Sequence, residues 1–276
     1  MLAQSTKDEA RSTKIAHLSD IHFGRISHPG IVDVLIEDVN AAGVDLVAIS
    51  GDLTQRAKDR QYADAKAMLE AFDAPVLVVP GNHDVRQFWH NPIERVRRPT
   101  IRFERYISND LRPSFSIEGL SVFGLNSAHG RTIKGGLIRY EDIEAMAAYF
   151  QSRPTTDFRV LVVHHHLIKD PSFKRTDVAI GADATLIAAI TSGVDLILCG
   201  HYHISKVTRH EPEEDLEIVI ASAGTATSSR GRGEQKEDNV YNLISVNYAS
   251  FVVEERRFDP ATAAYDTFRS SEFAWS

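Results

Sequence analysis

Six short apolar runs, rich in Val, Ile and Leu, recur along the chain at 14–19, 44–50, 75–79, 120–125, 159–163 and 194–199. Each is too continuous for a strand with one wet face, so they read as strands buried on both sides of a sheet. Helical spacings lie between them. Ile31, Val34, Leu35 and Val39 share one face, as do Tyr62, Ala65, Leu69 and Phe72, and the segments 140–152 and 183–191 supply two more. Strands alternating with helices indicate an α/β architecture, with largely parallel pairing through residue 203. From Leu216 the rhythm changes. Segments 217–222, 241–248 and 251–258 are β-like with short connections, which predicts antiparallel strands over 216–258 completing a second sheet or an edge.

The remaining stretches set the expected domain organisation. Residues 1–13 are polar and read as a flexible tail before one domain over 14–276. Residues 85–116 carry seven arginines and few apolar clusters, which predicts a cap inserted over a site. Residues 225–235, with Arg230-Gly231-Arg232-Gly233, read as a mobile loop. At 43% hydrophobic and 25% charged residues the chain has the composition of an ordinary globular protein, which excludes disordered, collagen-like and coiled-coil classes. A net charge of -7 argues against a nucleic-acid partner held by phosphate neutralisation. The single cysteine, Cys199, permits no intrachain disulfide and fits a cytoplasmic setting. The first residues lack a signal peptide's apolar core, and no apolar run approaches the roughly 20 residues of a membrane span.

Polar residues gather where the strands end. The first run leads into Ser19-Asp20-Ile21-His22, the second into Ser50-Gly51-Asp52 and the third into Pro80-Gly81-Asn82-His83-Asp84. The fifth leads into His164-His165-His166 and the sixth into Gly200-His201-Tyr202-His203. Ligand sites of open α/β sheets form at the carboxyl ends of strands, so these groups should converge. Asp, His and Asn without thiolates suit Mn²⁺, Fe²⁺ or Zn²⁺. There are too many ligands for one ion, and a carboxylate shared between two ions about 3.5–4 Å apart solves the count. Asp52, next to Gly51, is the natural bridge.

Taken in order, D-x-H, G-D, G-N-H-[DE], a histidine after an apolar strand and G-H-x-H resemble the calcineurin-like metallophosphoesterase superfamily. The blocks lie between Asp20 and His203. The resemblance implies a four-layer α/β/β/α sandwich of two mixed sheets flanked by helices. It implies one metal held by Asp20, His22, Asp52 and His203, and another by Asp52, Asn82, His164 and His201. The two divalent ions would be Mn²⁺ and/or Fe²⁺/Fe³⁺, with Zn²⁺ also compatible. The family's ligand is usually the first histidine after the strand, which favours His164. Alternation along a strand makes His166 its rival and turns His165 away. The implied chemistry is attack on phosphorus by a hydroxide shared between the ions, with His83 beside the reacting phosphate and Asp84 orienting it.

Length and the G-N-H-D block look most like bacterial class III cyclic-nucleotide phosphodiesterases and their glycerophosphodiesterase relatives, so the expected substrate is a small phosphodiester. UDP-2,3-diacylglucosamine pyrophosphatase is a competing branch, but its best-known members carry arginine at the position of His83. Two further competitors are a nuclease of the same superfamily and a non-catalytic scaffold of the same fold. His129, His166 and Arg86 are candidate substrate contacts, because they follow strand ends or lie in the arginine-rich segment. The late strands offer an edge for a homodimer. No G-x-S-x-G, P-loop or H-E-x-x-H motif is present, so serine hydrolase, P-loop and zincin readings lack support.

Overall fold

Each of the six apolar runs forms a strand. The computed structural model describes residues 12–87, 91–130, 135–169, 178–213 and 216–275. In chain order its elements are β1 (Thr13–Leu18), α1 (Ile31–Ala41), β2 (Leu46–Ile49), α2 (Asp59–Glu70), β3 (Val76–Val78), α3 (Pro92–Arg97), α4 (Ile101–Tyr106), β4 (Ser114–Ile117) and β5 (Leu120–Leu125). They continue with α5 (Tyr140–Gln151), β6 (Phe158–Val163), α6 (Ala182–Thr191), β7 (Leu196–Cys199), β8 (Lys206–Glu213), β9 (Leu216–Ser222), β10 (Val240–Val246), β11 (Ser250–Asp259) and β12 (Ala264–Ala274). Most of the expected tail, residues 1–11, lies outside the described residues, as do 88–90 of the expected cap.

Two six-stranded sheets face each other. One has the order β12-β11-β10-β1-β2-β3 and the other β4-β5-β6-β7-β9-β8. Ile15, Leu46, Ala48 and Ile244 of the first pack against Val122, Val160, Leu198 and Val219 of the second, forming the inner core. Outer faces are covered by helices: Leu35 and Val39 of α1 and Tyr62, Ala65 and Met68 of α2 on the first sheet, and Ile143, Met146 and Phe150 of α5 with Leu186 and Ala189 of α6 on the second. The architecture is therefore the four-layer α/β/β/α sandwich. Burial on both faces explains why strands β1, β2, β5, β6 and β7 are continuous apolar runs.

Strands β1, β2 and β3 are mutually parallel, as are β5, β6, β7 and β9. The expectation of antiparallel pairing from residue 216 needs correction for β9. It pairs parallel with β7, Leu198 opposite Ala221, and antiparallel only with β8. The β8 hairpin arm reverses the chain before β9 begins, so β9 runs with its central neighbours. Strands β10, β11 and β12 are antiparallel and extend the first sheet beside β1.

Within the arginine-rich segment, α3 begins on Asn91, whose side chain accepts the Glu94 N–H at 3.0 Å, with Pro92 at the first helical position. Helix α4 packs on α2 through buried Phe103 and a stacked Tyr62–Tyr106 pair. Arg102 pairs with Glu94 and Asp59, and Arg112 with Asp142.

Candidate metal centre

Parallel strands of both sheets end at one edge, and their exit loops meet there. Asp20 and His22 follow β1, Asp52 follows β2, Asn82 and His83 follow β3, His164 follows β6, and His201 and His203 follow β7. The backbone is bent sharply at these points. Asp20, His22, Asp52, His201 and His203 all have positive φ, between 52° and 71°, in the left-handed region that L residues seldom occupy. Among the described residues only Ala57 and Ala263 join them as non-glycine residues there. Such strain persists where the surroundings over-determine it, and here it aims side chains inward. Close approach is enforced by two glycines. A Cβ on Gly81 would lie 2.1 Å from Asp52 Oδ1, and one on Gly200 would lie 1.8 Å from Ser19 Oγ.

Two groups of side chains could each hold a cation: Asp20, His22, Asp52 and His203, and His164, His165 and His201, with ligand atoms within 4.8 Å of one another in each. Asp20 Oδ2 accepts from Ser19 Oγ at 2.8 Å and from the His201 N–H at 2.9 Å. Asp52 Oδ1 accepts from the His83 N–H at 2.7 Å. The other oxygens, Asp20 Oδ1 and Asp52 Oδ2, are buried without a hydrogen-bond partner. Imidazoles face them. His203 Nε2 lies 3.0 Å from Asp20 Oδ1, and His22 Nε2 lies 3.5 Å from it and 3.6 Å from Asp52 Oδ2. His164 Nε2 is 3.5 Å from Asp52 Oδ2 and 3.2 Å from Asn82 Oδ1, which also lies 3.0 Å from His201 Nδ1.

The second nitrogen of three rings fixes the tautomer. His22 Nδ1 donates to the Thr54 carbonyl at 3.3 Å, His164 Nδ1 to that of Ser50 at 2.6 Å and His203 Nδ1 to that of Arg230 at 2.7 Å. A carbonyl can only accept, so in each neutral ring Nε2 is left as a lone pair facing the carboxylates. His22 Nε2 and His203 Nε2 stand 3.2 Å apart. In the neutral rings buried lone pairs turn towards buried carboxylate oxygens, so either a proton, as on His164, or a cation must lie between them, and this donor set fits a divalent ion.

Charge already favours it. Burial alone would raise Asp20 and Asp52, but the surrounding imidazoles, His203 for Asp20 and His164 for Asp52, hold both well below the usual carboxylate range. Burial opposes charge on His164, yet Asp52 and Asp20 hold its proton up to about 9, while burial pushes His22 down to about 4. Burial, with His165 and His164 close by, takes His201 well below its ordinary value. Two anionic carboxylates thus draw positive charge to this edge before any ion arrives.

Residues 13–205 match the calcineurin-like phosphoesterase family. The chain belongs to that family. A glycerophosphodiester phosphodiesterase, GpdQ of Enterobacter lignolyticus, is 34% identical over 80 residues, 25% of this chain and 29% of that protein. A probable cyclic nucleotide phosphodiesterase of Fibrobacter succinogenes is 24% identical over 215 residues, 71% of this chain and 74% of that protein. Purple acid phosphatase PPD1 of yellow lupin superposes with a TM-score of 0.73 at 11% identity, over 95% of this chain and 54% of that one, a likeness of fold alone. This calcineurin-like phosphoesterase therefore spans less than two thirds of the GpdQ and lupin proteins.

Other residues singled out in the sequence fall in different places. His83 reaches the site: its Nδ1 donates to the Gln55 carbonyl at 2.8 Å. Asp84 does not orient it, contrary to expectation. Its Oδ1 accepts the Thr54 N–H at 2.9 Å and its Oδ2 those of Gly81 at 3.0 Å and Leu53 at 3.2 Å, so it clamps the exit loops of β2 and β3. Burial and Asp52 push Asp84 up to about 7. His166 is not brought to the cluster; it stacks on Tyr202 at 4.2 Å and lies 3.8 Å from Cys199 Sγ. His165, expected to face away, stands beside His201 with ring centroids 4.6 Å apart. Strand alternation fails for these histidines because β6 ends at Val163. His129 lines a cavity of about 500 Å³ with Arg97, Arg98, Arg112 and Arg139. Arg86 accepts Arg95 Nη1 on its carbonyl at 2.7 Å.

Sequence reasoning missed Arg230. The expected mobile loop is bonded along its first half: Ala226 N–H to the Ser19 carbonyl at 3.1 Å, Thr225 Oγ1 to that of Asp20 at 2.7 Å, Thr227 Oγ1 to that of Ile21 at 2.9 Å and Ser229 N–H to that of Arg25 at 2.9 Å. The loop leaves the carboxyl end of β9, which ends at the same edge as β7 because the two are parallel. That direction was the missing signal.

Proposed function

We propose that this chain hydrolyses phosphodiesters, with a cyclic nucleotide or another small diester as substrate and two divalent ions in the site. The observation that carries this reading is the pair of buried carboxylate oxygens without hydrogen bonds, Asp20 Oδ1 and Asp52 Oδ2, facing imidazole Nε2 atoms whose Nδ1 atoms are tied to carbonyls. The names of the sequence relatives favour diesters over monoesters.

Asp20, His22, Asp52 and His203 would hold one ion, and Asp52, Asn82, His164 and His201 the other. Mn²⁺, Fe²⁺/Fe³⁺ and Zn²⁺ all suit oxygen and imidazole donors. When bound, such ions supply a water acidified to near neutral pH and neutralise phosphoryl charge. Asp52 Oδ2 faces His22 and His164 alike while Oδ1 accepts the His83 N–H, so Asp52 is the residue that would serve both positions. The Ser50, Thr54 and Arg230 carbonyls fix the rings. With Nδ1 donating to the Gln55 carbonyl, His83 leaves Nε2, 3.0 Å from Arg230 Nη1, as the nitrogen that would take up a proton and pass it to the leaving oxygen once substrate draws the guanidinium away.

The late strands end in β12, an edge of the first sheet, and a homodimer would form there; sedimentation of the purified protein tests it. A cytoplasmic setting agrees with the free, buried Cys199, and cell fractionation checks it. No helix of the described residues is long and apolar enough to cross a membrane.

The deciding assay strips the protein of metal, restores Mn²⁺ and compares an aryl phosphodiester, an aryl phosphomonoester, 3′,5′-cyclic AMP, 2′,3′-cyclic AMP, a glycerophosphodiester and UDP-diacylglucosamine. Metal-dependent turnover led by a diester is the expected result. Preference for UDP-diacylglucosamine would replace the reading with the pyrophosphatase, and salt-sensitive DNA binding with cleavage would replace it with the nuclease. A folded protein that binds no metal would leave only a scaffold.

A further inference from the structure

We propose that Arg230, flanked by Gln55 and His83, forms an anion subsite that binds a phosphoryl oxygen of the substrate beside the metal positions. The inference deepens the phosphodiesterase reading and rests on it. Arg230 Nη1 lies 3.0 Å from His83 Nε2 and 3.1 Å from Gln55 Oε1. Both contacts are to neutral groups. Among the described residues no carboxylate pairs with this half-buried guanidinium, whereas Arg102 and Arg256, which are comparably buried, each have an acidic partner.

The chain presents this cation on a fixed support. The Arg230 carbonyl accepts His203 Nδ1 at 2.7 Å, so the residue that offers the guanidinium also sets the tautomer of a candidate ligand. The preceding residues are bonded to the exit loop of β1, as described above, and residues 26 and 228 form a β-bridge. A guanidinium held at one end of a buried anionic cluster, with hydrogen-bonding capacity to spare, matches a tetrahedral oxyanion better than any neutral group. His83 shares the same spot, so the phosphate oxygen nearest Arg230 lies near the atom that handles the leaving-group proton.

The two roles of Arg230 are separable, because truncating the side chain leaves the main-chain carbonyl in place. The test uses the Mn²⁺-loaded wild type, R230A and R230K, with metal content measured by elemental analysis. Inorganic phosphate is titrated calorimetrically, and kcat and KM are measured on an aryl phosphodiester. R230A should keep its metal, bind phosphate at least tenfold more weakly and lose about 100-fold in kcat/KM; R230K should recover part of both, as charge without the planar fork. Phosphate affinity within twofold of wild type in R230A would overturn the subsite, as would loss of metal in step with activity, which would mean a purely structural role. Should R230A fail to fold, R230Q carries the same comparison. A wild type that cleaves no diester yet binds phosphate through Arg230 would sink the phosphodiesterase reading and leave the subsite standing; a wild type that binds no phosphate would sink the subsite.

Discussion

Asp52 and His83 lie one hydrogen bond apart and are expected to fail differently. Asp52→Asn weakens a buried anion that faces the imidazoles of His22 and His164, so it should lose metal and turnover together. His83→Ala leaves the ligand atoms alone and should keep its metal while losing roughly 10²- to 10⁴-fold in kcat, what a positioned proton donor contributes; equal metal loss in the two variants would contradict this division. His17 gives a prediction about pH. It is buried in β1, with Nε2 2.9 Å from Ser50 Oγ and Nδ1 3.1 Å from Asn242 Nδ2, and burial pushes it down to about 3. An imidazole lowered in the folded state contributes stability that is complete above its unfolded value of 6.5 and lost as the pH falls from there towards 3. The slope is about 1.4 kcal/mol per pH unit. His17→Gln should cost about 1 kcal/mol at pH 7.5 through imperfect hydrogen bonds, and the deficit should shrink below pH 6.5. Urea midpoints of both proteins from about pH 4.5 to 8 measure this, and parallel curves would refute it. Ligand residues themselves were legible because Asp, His and Asn recur beside glycine at strand ends. Asp84 was misassigned because sequence adjacency to His83 says nothing about which backbone groups a carboxylate reaches.

At the scale of elements, the missed strands share one property. β4, β8 and β12 are all sheet edges, where one side has no partner strand. Their sequences, SFSI, KVTRHEPE and AYDTFRSSEFA, are polar or alternating, as edge strands are, so no apolar run marks them. Strand direction was equally hidden. β9 is as apolar as an antiparallel strand would be, and only the preceding β8 arm decides which way it runs; with the direction unknown, the destination of its exit loop was unknown too. The loops of β2 and β3 give the prediction that belongs here. Asp84 holds three buried N–H groups of those loops at once. Asp84→Ala should therefore destabilise the protein by about 3 kcal/mol or more and weaken metal binding, whereas Asp84→Asn, which still accepts hydrogen bonds, should lose less of both. Denaturation and metal titration of the two variants check the order; identical losses would show that the carboxylate's charge matters and its acceptors do not.

For the whole molecule, the sandwich supplies the rigidity and the shared strand edge supplies the convergence. Metal removal should register globally. A ligand at about 100 times its dissociation constant adds about 2.7 kcal/mol, so Mn²⁺ should raise the melting temperature of the chelated protein by about 5–10 °C. Calorimetric scans with and without Mn²⁺ decide it, and an unchanged transition would mean that the strained edge holds no ion. The α/β class was readable because buried parallel strands leave so plain a hydrophobic signature, and the four-layer plan came with the family resemblance, while the arginine-rich segment was not readable, since only Phe103 and Tyr106 among many charges anchor α4. The positive φ angles at positions 20, 22, 52, 201 and 203 have an evolutionary side. In the metal-free chain glycine at any of them would relax the backbone and remove a buried polar group, so without ions drift towards heat resistance and drift towards inactivity point the same way. A library selected for thermal survival of the metal-free protein would shed these five residues first, and one selected with Mn²⁺ present would keep them.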